Sequence, residues 1–335
     1  MTAPAMPMQP ARKGEGAEYR TILSIDGGGI RGIIPAVVLA EIERRTNRPI
    51  AELFHLVAGT STGGILAVGL TVPGADGKPK YTAQDMIDLY VKHGAEIFTK
   101  VWWRRAVSLV AGAAYPAGPL EGLLKQYAGE SRLSEAVTGV LVTSWELRTR
   151  TAWFFRRAQA ITDPSTDRPM HLIARATSAA PTYFPPLRVP DPSGDLALVD
   201  GGVFANNPGM AAWVDVHEGA APGQKIFMVS LGTGDTDNPI TYSMARLWGK
   251  VWWAQPIISV VLDGASDTVQ YELRRMVPPG DYYRFQTPVP VANRSIDDTS
   301  SRNLDALQSM ARSMIATQQT DFDSICARLM ELADK

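Results

Sequence analysis

Apolar positions in this chain come in two rhythms that alternate. "YRTILSID" is a near-continuous apolar run closed by "GGGIRG", the pattern of a buried strand ending in a tight turn. "IIPAVVLAEIERRTN" follows with Ile34, Val38 and Ile42 at helical spacing. The pair then repeats: "LFHLVAG" predicts a buried strand and "TGGILAVGL" a helix. Strand–helix–strand–helix order predicts a right-handed crossover and parallel pairing. Further on, "GVLVTSWEL" and "TAWFFRRA" predict antiparallel strands joined by "RTR", and "HLIARATSAAP" a helix. "ALVDGG" predicts a short strand, "NNP" a helix start with Asn207 as cap and Pro208 in the first turn, and "KIFMVSLGTG" another buried strand. The last third is dominated by helical patterns such as "SSRNLDALQSMARSMIATQQ" and "FDSICARLMELADK". The expected fold is a single α/β domain over residues 19–335. It has a mainly parallel central sheet and a helical C-terminal cover over 243–335, and residues 1–18 form a flexible tail.

Composition narrows the function. The 335 residues carry 33 Lys+Arg against 34 Asp+Glu, so no global basic field suits a DNA or RNA polymer. The single cysteine, Cys326, excludes an internal disulfide and a cysteine metal cluster; no metal and no cofactor is expected. No apolar run reaches the roughly 18–20 residues that span a bilayer, and the N-terminus lacks the apolar centre of a secretory signal. The expected location is cytoplasmic, with contact at the inner membrane surface.

Chemistry concentrates at three places. In "GTSTGG", Ser61 stands between Gly59 and Gly63 at the spacing of a nucleophile elbow, with a strand before it and a helix after it. A serine capping a small-residue turn would give the same letters. In "DGGGIRG", Gly27, Gly28 and Gly29 expose backbone N–H groups above the strand, a nest for a phosphate or an oxyanion. Arg31 either strengthens that site or is a surface arginine at a helix start. Gly27, Gly29 and Gly32 also match the dinucleotide fingerprint G-x-G-x-x-G. That reading needs an acidic residue at the end of the second strand, and "VAGTS" has none.

A serine hydroxyl needs a base. His55 lies in the elbow strand, His93 and His217 lie within helices, and His171 starts one. No loop delivers any of them to Ser61. "LVDGGVFANNP" instead sets Asp200 at a strand end beside Gly201 and Gly202, where a desolvated carboxylate can work as a base. A turn-forming aspartate in "DGG" is the alternative.

The ordered set "DGGGIRG", "GTSTGG", "ATSAAPTYFPP", "LVDGGVFANNP" and "SLGTG", from about Tyr19 to about Gly234, resembles the patatin-like phospholipases. The resemblance implies a three-layer, modified α/β-hydrolase-like sandwich and cleavage of carboxylic esters in membrane glycerophospholipids. It implies a Ser61–Asp200 dyad without histidine. The oxyanion hole is implied in the loop Gly27, Gly28, Gly29, Ile30 and Arg31, with a further N–H at Thr62. A lysophospholipase or acyltransferase fits the same motifs, and a non-enzymatic nucleotide sensor is the alternative from another class. The C-terminal "QPIISVVLDGASDTVQYELRRM" is similar to bacterial members activated by cyclic oligonucleotides in anti-phage defence. A cyclic di- or trinucleotide activator and a homo-oligomer are the implied partners. Trp102 and Trp103 beside Arg104 and Arg105, and Trp248, Trp252 and Trp253 beside Arg246 and Lys250, suit a bilayer interface; a packed cover or subunit contact suits them too.

Overall fold

The computed structural model describes residues 18–98, 113–192, 194–236, 240–253 and 256–334. The chain opens with β1 (Tyr19–Ile25), buried from Thr21 onward, and α1 (Ile33–Thr46), which buries Ile34, Val38 and Ile42. Asn47 ends α1 in the left-handed region, φ 52°, a conformation its short polar side chain tolerates. Next come α2 (Ile50–Leu53), β2 (Leu56–Gly59) and α3 (Thr62–Gly69). Then α4 (Ala83–Ile97) starts at a Thr82–Asp85 capping box, and α5 (Ala117–Ala128) follows. The antiparallel pair is β3 (Gly139–Glu146) and β4 (Thr151–Arg156), as the pattern predicts.

The remaining elements are α6 (Arg157–Thr162), α7 (Met170–Thr177), β5 (Leu187–Val189), β6 (Leu196–Asp200), α8 (Gly202–Ala205), α9 (Gly209–Glu218) and β7 (Lys225–Leu231). After β7 come β8 (Asp235–Thr236), α10 (Tyr242–Ala245), α11 (Lys250–Trp253) and α12 (Pro256–Met276). The chain closes with β9 (Tyr282–Phe285), β10 (Pro288–Val289), α13 (Ser301–Thr317) and α14 (Gln319–Ala333).

The main sheet runs β5-β6-β3-β2-β1-β7-β9, with β4 paired to β3. Pairs β1–β2, β1–β7, β2–β3 and β7–β9 are parallel; β3–β4, β3–β6 and β5–β6 are antiparallel. Both faces are covered. Leu23, Ile25 and Val57 join a core with residues of α1, α3, α4, α13 and α14. Ile22, Leu56 and Ala58 join a second core with Ala212 of α9 and Leu273 of α12. Burial on both faces is why β1 and β2 read as continuous apolar runs rather than alternating ones.

Four details differ from the sequence expectation. The C-terminal third is not only a cover, because β9 extends the sheet beside β7. Glu18 is held rather than loose: its carbonyl accepts from the Lys225 N–H at 2.8 Å and its carboxylate pairs with Lys225 at 2.9 Å. The rest of the expected tail lies outside the described residues, as do Trp102, Trp103, Arg104 and Arg105. His55 sits just before β2, where its Nδ1 meets Thr21 Oγ1 at 2.7 Å. Helix α9 starts at Gly209, whose N–H donates to Asn207 Oδ1 at 2.9 Å, so Asn207 caps it from two residues upstream. Among the described residues, no helix is long and apolar enough to cross a membrane.

Candidate active site

Ser61 occupies the turn from β2 into α3 with φ 54° and ψ −122°, backbone that a non-glycine residue adopts at a cost of about 1–3 kcal/mol. The flanking glycines make this turn possible. A Cβ on Gly59 would stand 2.1 Å from the Gly63 carbonyl oxygen, and one on Gly63 would stand 2.1 Å from that of Ile25. Backbone packs on backbone there, so no larger residue fits. The Ser61 N–H donates to Thr177 Oγ1 of α7 at 2.8 Å. Buried Thr60 ties the elbow to its surroundings through Thr143 Oγ1 and the Ala205 carbonyl, both at 2.7 Å.

Asp200 ends β6, and the register explains how it reaches Ser61. Gly59, the last residue of β2, lies opposite Val142 of β3. Asp200 lies opposite Ser144, two positions further along β3. Strand β6 therefore runs antiparallel to β2 on the far side of β3, and its last residue lies level with the elbow, two positions beyond the end of β2. The Gly202 N–H donates to the Asp200 Oδ1 at 2.7 Å, and the Ser61 side chain is near enough to lower the Asp200 pKa. Asp200 is 4% exposed, and burial pushes its carboxyl up to about 7 against the pull of these two groups. A Cβ on Gly201 would stand 2.0 Å from Thr143 Oγ1, and one on Gly202 3.1 Å from Asp200 Oδ1. The "DGG" glycines thus let the chain turn tightly beneath the carboxylate.

The glycine loop sorts its own donors. The Gly27 N–H donates to the Asn206 carbonyl at 3.0 Å, that of Ile30 to the Ile296 carbonyl at 2.9 Å, and that of Arg31 to the Gly28 carbonyl at 3.2 Å. Those three hold the loop in shape. The N–H groups of Gly28 and Gly29 take no protein acceptor among the described residues. Gly29 has φ 60°, and a Cβ there would stand 2.3 Å from the Ile296 oxygen. The Arg31 guanidinium lies near the carbonyls of Gly28 and Gly234, at 3.5 and 3.4 Å. Burial lowers its pKa, with Asp263 and Asp235 opposing.

Several contacts of this site have no signal in the sequence. Asp26, beneath the loop, receives both terminal nitrogens of Arg284 from β9, at 3.0 and 2.6 Å. Both side chains are almost wholly buried, and Arg284 also reaches Ser230 Oγ at 3.0 Å. Burial penalises the Arg284 charge, and Asp26 outweighs this and raises its pKa. Thr233 Oγ1 donates to the Gly27 carbonyl at 2.7 Å. The Asp26–Arg284 and Gly27–Thr233 contacts join residues more than two hundred positions apart, which no local pattern can announce.

The four histidines have other partners. His93 meets Glu96 at 3.1 Å and His171 faces Glu130 at 3.9 Å. His217 stacks on Trp213 with ring centroids 4.5 Å apart, and burial lowers the His55 pKa to about 4. Among the described residues, no group of three or more His, Cys, Asp or Glu side chains is placed to hold a metal ion. A cavity of about 820 Å³ lies beside Asp200, bounded by Val199 and Val203 and walled by Trp145, Leu147, Phe184 and Phe204. Ser61 is not part of its lining, so the cavity adjoins the Ser61–Asp200 pair without containing it.

A mostly parallel sheet covered on both faces, with a strained serine turn at the end of a central strand, places the chain in the α/β-hydrolase-like class. Within that class it belongs to the patatin-like phospholipase family, a family of lipid acyl hydrolases, whose model matches residues 23–213. Patatin-like protein 1 of Arabidopsis thaliana is 30% identical, covering 89% of this chain and 82% of the relative. Patatin-like protein 4 of the same plant is 31% identical over 89% of this chain and 83% of the relative. The crystal structure of VipD from Legionella pneumophila aligns with 95% of this chain and 72% of its own, at 13% identity and a TM-score of 0.38.

Proposed function

We propose that this protein hydrolyses carboxylic esters of membrane glycerophospholipids with Ser61 as nucleophile and Asp200 as base. The observation that carries the reading is a carboxylate, Asp200, buried at a strand end beside the strained Ser61 elbow, where burial pushes it up to about 7 and Ser61 pulls it down. A carboxylate so raised is matched to proton transfer at neutral pH. In the proposed course Asp200 takes the Ser61 proton as Oγ attacks the acyl carbonyl. The unengaged N–H groups of Gly28 and Gly29, with that of Thr62 at the start of α3, receive the oxyanion. Asp200 then gives its proton to the departing alkoxide of the lyso product. It next takes a proton from water, which attacks the acyl-Ser61 ester, and returns that proton to Ser61 Oγ as the fatty acid leaves. The apolar cavity walled by Trp145 and Phe204 offers room for an acyl chain. The setting of this reading is the cytoplasmic face of the inner membrane.

Purified protein is expected to release free fatty acid from phosphatidylcholine vesicles, and a fluorophosphonate is expected to label Ser61. Acyl transfer to an added alcohol without release of free acid would assign an acyltransferase instead. No turnover of phospholipid, lysophospholipid or simple ester, with Ser61 unlabelled, would overturn the reading. The pH profile is a separate prediction. Because the base form of Asp200 is required, kcat/KM should be half-maximal near pH 7. Below that it should fall about tenfold per pH unit. A profile flat from pH 5 to 8 would remove Asp200 as the base.

Regulation extends the proposal. The likeness of "QPIISVVLDGASDTVQYELRRM" to cyclic-oligonucleotide-activated members supports a switch in which the nucleotide favours an active or assembled state. A cyclic di- or trinucleotide is expected to raise vesicle hydrolysis and to change the oligomer size by light scattering. Full activity without it, and no binding heat in calorimetry, would remove the switch and leave the hydrolase.

A further inference from the structure

Asn206 follows α8 and sits among the reacting groups. Its backbone carbonyl accepts the Gly27 N–H at 3.0 Å, and its Nδ2 donates to Ser266 Oγ of α12 at 3.1 Å. One end of the residue is thus tied to the glycine loop and the amide nitrogen to the covering helix. The amide oxygen is left over: it takes no donor among the described residues, and it is open rather than sealed. It stands 2.4 Å from the place a Gly27 Cβ would take, and Ser61 Cβ stands 3.2 Å from that same place. It stands 3.4 Å from the place of a Gly202 Cβ, where Asp200 Oδ1 and Leu262 Cδ2 of α12 both stand at 3.1 Å. Asn206 Oδ1 and the Asp200 carboxylate therefore border one gap beside Ser61, with Leu262 closing one side. Two acceptors around one gap suit a molecule with two hydrogens to give. The reacting ester group has none, because its carbonyl and alkoxy oxygens only accept, whereas water has two.

We infer that Asn206 is a further catalytic residue, which holds the water that attacks acyl-Ser61. The water donates one hydrogen to Asp200 and the other to Asn206 Oδ1, and the two bonds aim its oxygen at the acyl carbonyl. Asp200 takes the first hydrogen as the new C–O bond forms. The bond from the carbonyl carbon to Ser61 Oγ then breaks as Asp200 returns that proton to Oγ. The second hydrogen stays on the attacking oxygen and leaves as the acid proton. Without the Asn206 oxygen this hydrogen has no acceptor in a desolvated gap, a loss of about ten- to a hundredfold in rate. The assignment rests on the Ser61–Asp200 hydrolase reading and adds how the acyl-enzyme selects water.

Methanol separates this role from a structural one, since it brings a single hydrogen and needs only Asp200. Turnover of p-nitrophenyl butyrate in buffer containing methanol divides acyl-Ser61 between free acid and methyl ester. Asn206→Ala and Asn206→Leu should each lower the ratio of acid to methyl ester about tenfold or more, while a fluorophosphonate still labels Ser61. Asn206→Asp keeps an acceptor and should hold the ratio within about twofold. A ratio unchanged in the Ala and Leu variants overturns the proposal however far turnover falls, because a merely structural residue slows both products alike. A ratio that falls equally in Asn206→Asp also overturns it. Loss of Ser61 labelling in both the Ala and Leu variants does the same, showing that Asn206 holds the fold rather than water. If the unaltered protein turns over no ester and its Ser61 stays unlabelled, the hydrolase reading itself fails and takes the water site with it.

Discussion

Asp200→Asn is expected to silence ester hydrolysis and to make the protein more stable. Loss of activity follows because the amide cannot take the Ser61 proton; a fall of about a thousandfold or more is the scale for a member of such a unit. Ser61→Ala should fall as far, and the double variant no further, because the two act as one. His217→Ala is the control: stacked on Trp213, it should keep near-normal turnover. The stability gain follows from linkage. The Asp200 pKa is raised from 3.8 to about 7 by burial, so the folded state disfavours its ionised form. That group destabilises the fold progressively as pH rises from 3.8 toward 7 and does so fully above it, by on the order of 4 kcal/mol. Asparagine never ionises, and its side-chain oxygen can still accept from Gly202. Urea melts at pH 8 should show the variant more stable, with the difference vanishing toward pH 4. Equal stability at both pH values, or near-normal turnover, would contradict the proposed state of Asp200.

Arg284→Met should be the most damaging single change to the fold near the site. The Arg284–Asp26 pair is bidentate and almost wholly buried, so removing the guanidinium strands a carboxylate under the glycine loop. Breaking one side of such a pair costs about 3–5 kcal/mol. The sign of the pH response identifies the cause. Without its partner, Asp26 has a folded pKa well above its unfolded one. The variant should regain stability as pH falls and Asp26 takes up a proton. Asp26→Asn combined with Arg284→Met removes both charges and should recover much of the loss. Activity in Arg284→Met should drop more than stability explains, because the loop that presents Gly28 and Gly29 loses its anchor. A single variant as stable as the unaltered protein, or one whose loss does not change with pH, would show that the pair contributes little.

The local turn chemistry was legible in the chain itself. Gly59, Ser61 and Gly63 announce a turn that only small residues allow, and the Cβ clashes give the reason. "DGGGIRG" and "DGG" announce tight backbone at two strand ends, and the apolar runs of β1 and β2 announce a sheet covered on both faces. The resemblance placed Gly27, Ile30 and Arg31 in the oxyanion loop together with Gly28 and Gly29. Which N–H groups stay free depends on the carbonyls of Asn206 and Ile296, and those arrive from elsewhere in the fold. The tryptophans were ambiguous for a similar reason. Trp248 and Trp253 pack edge to face at 5.2 Å while Trp252 stands outward, a difference that composition does not carry.

By itself the sequence determined the alternation of β1, α1, β2 and α3 and the elbow turn, and it marked Ser61 and Asp200 as candidates, because these depend on spacing along a few neighbouring residues. Tertiary structure alone decided that β6 runs antiparallel to β2 on the far side of β3, so that Asp200 lies two positions beyond the end of β2. It also decided that Arg284, on a strand in a segment that otherwise reads as helical cover, neutralises Asp26. Both depend on register and pairing between distant strands. Those are set by burial of whole sheet faces rather than by any short pattern.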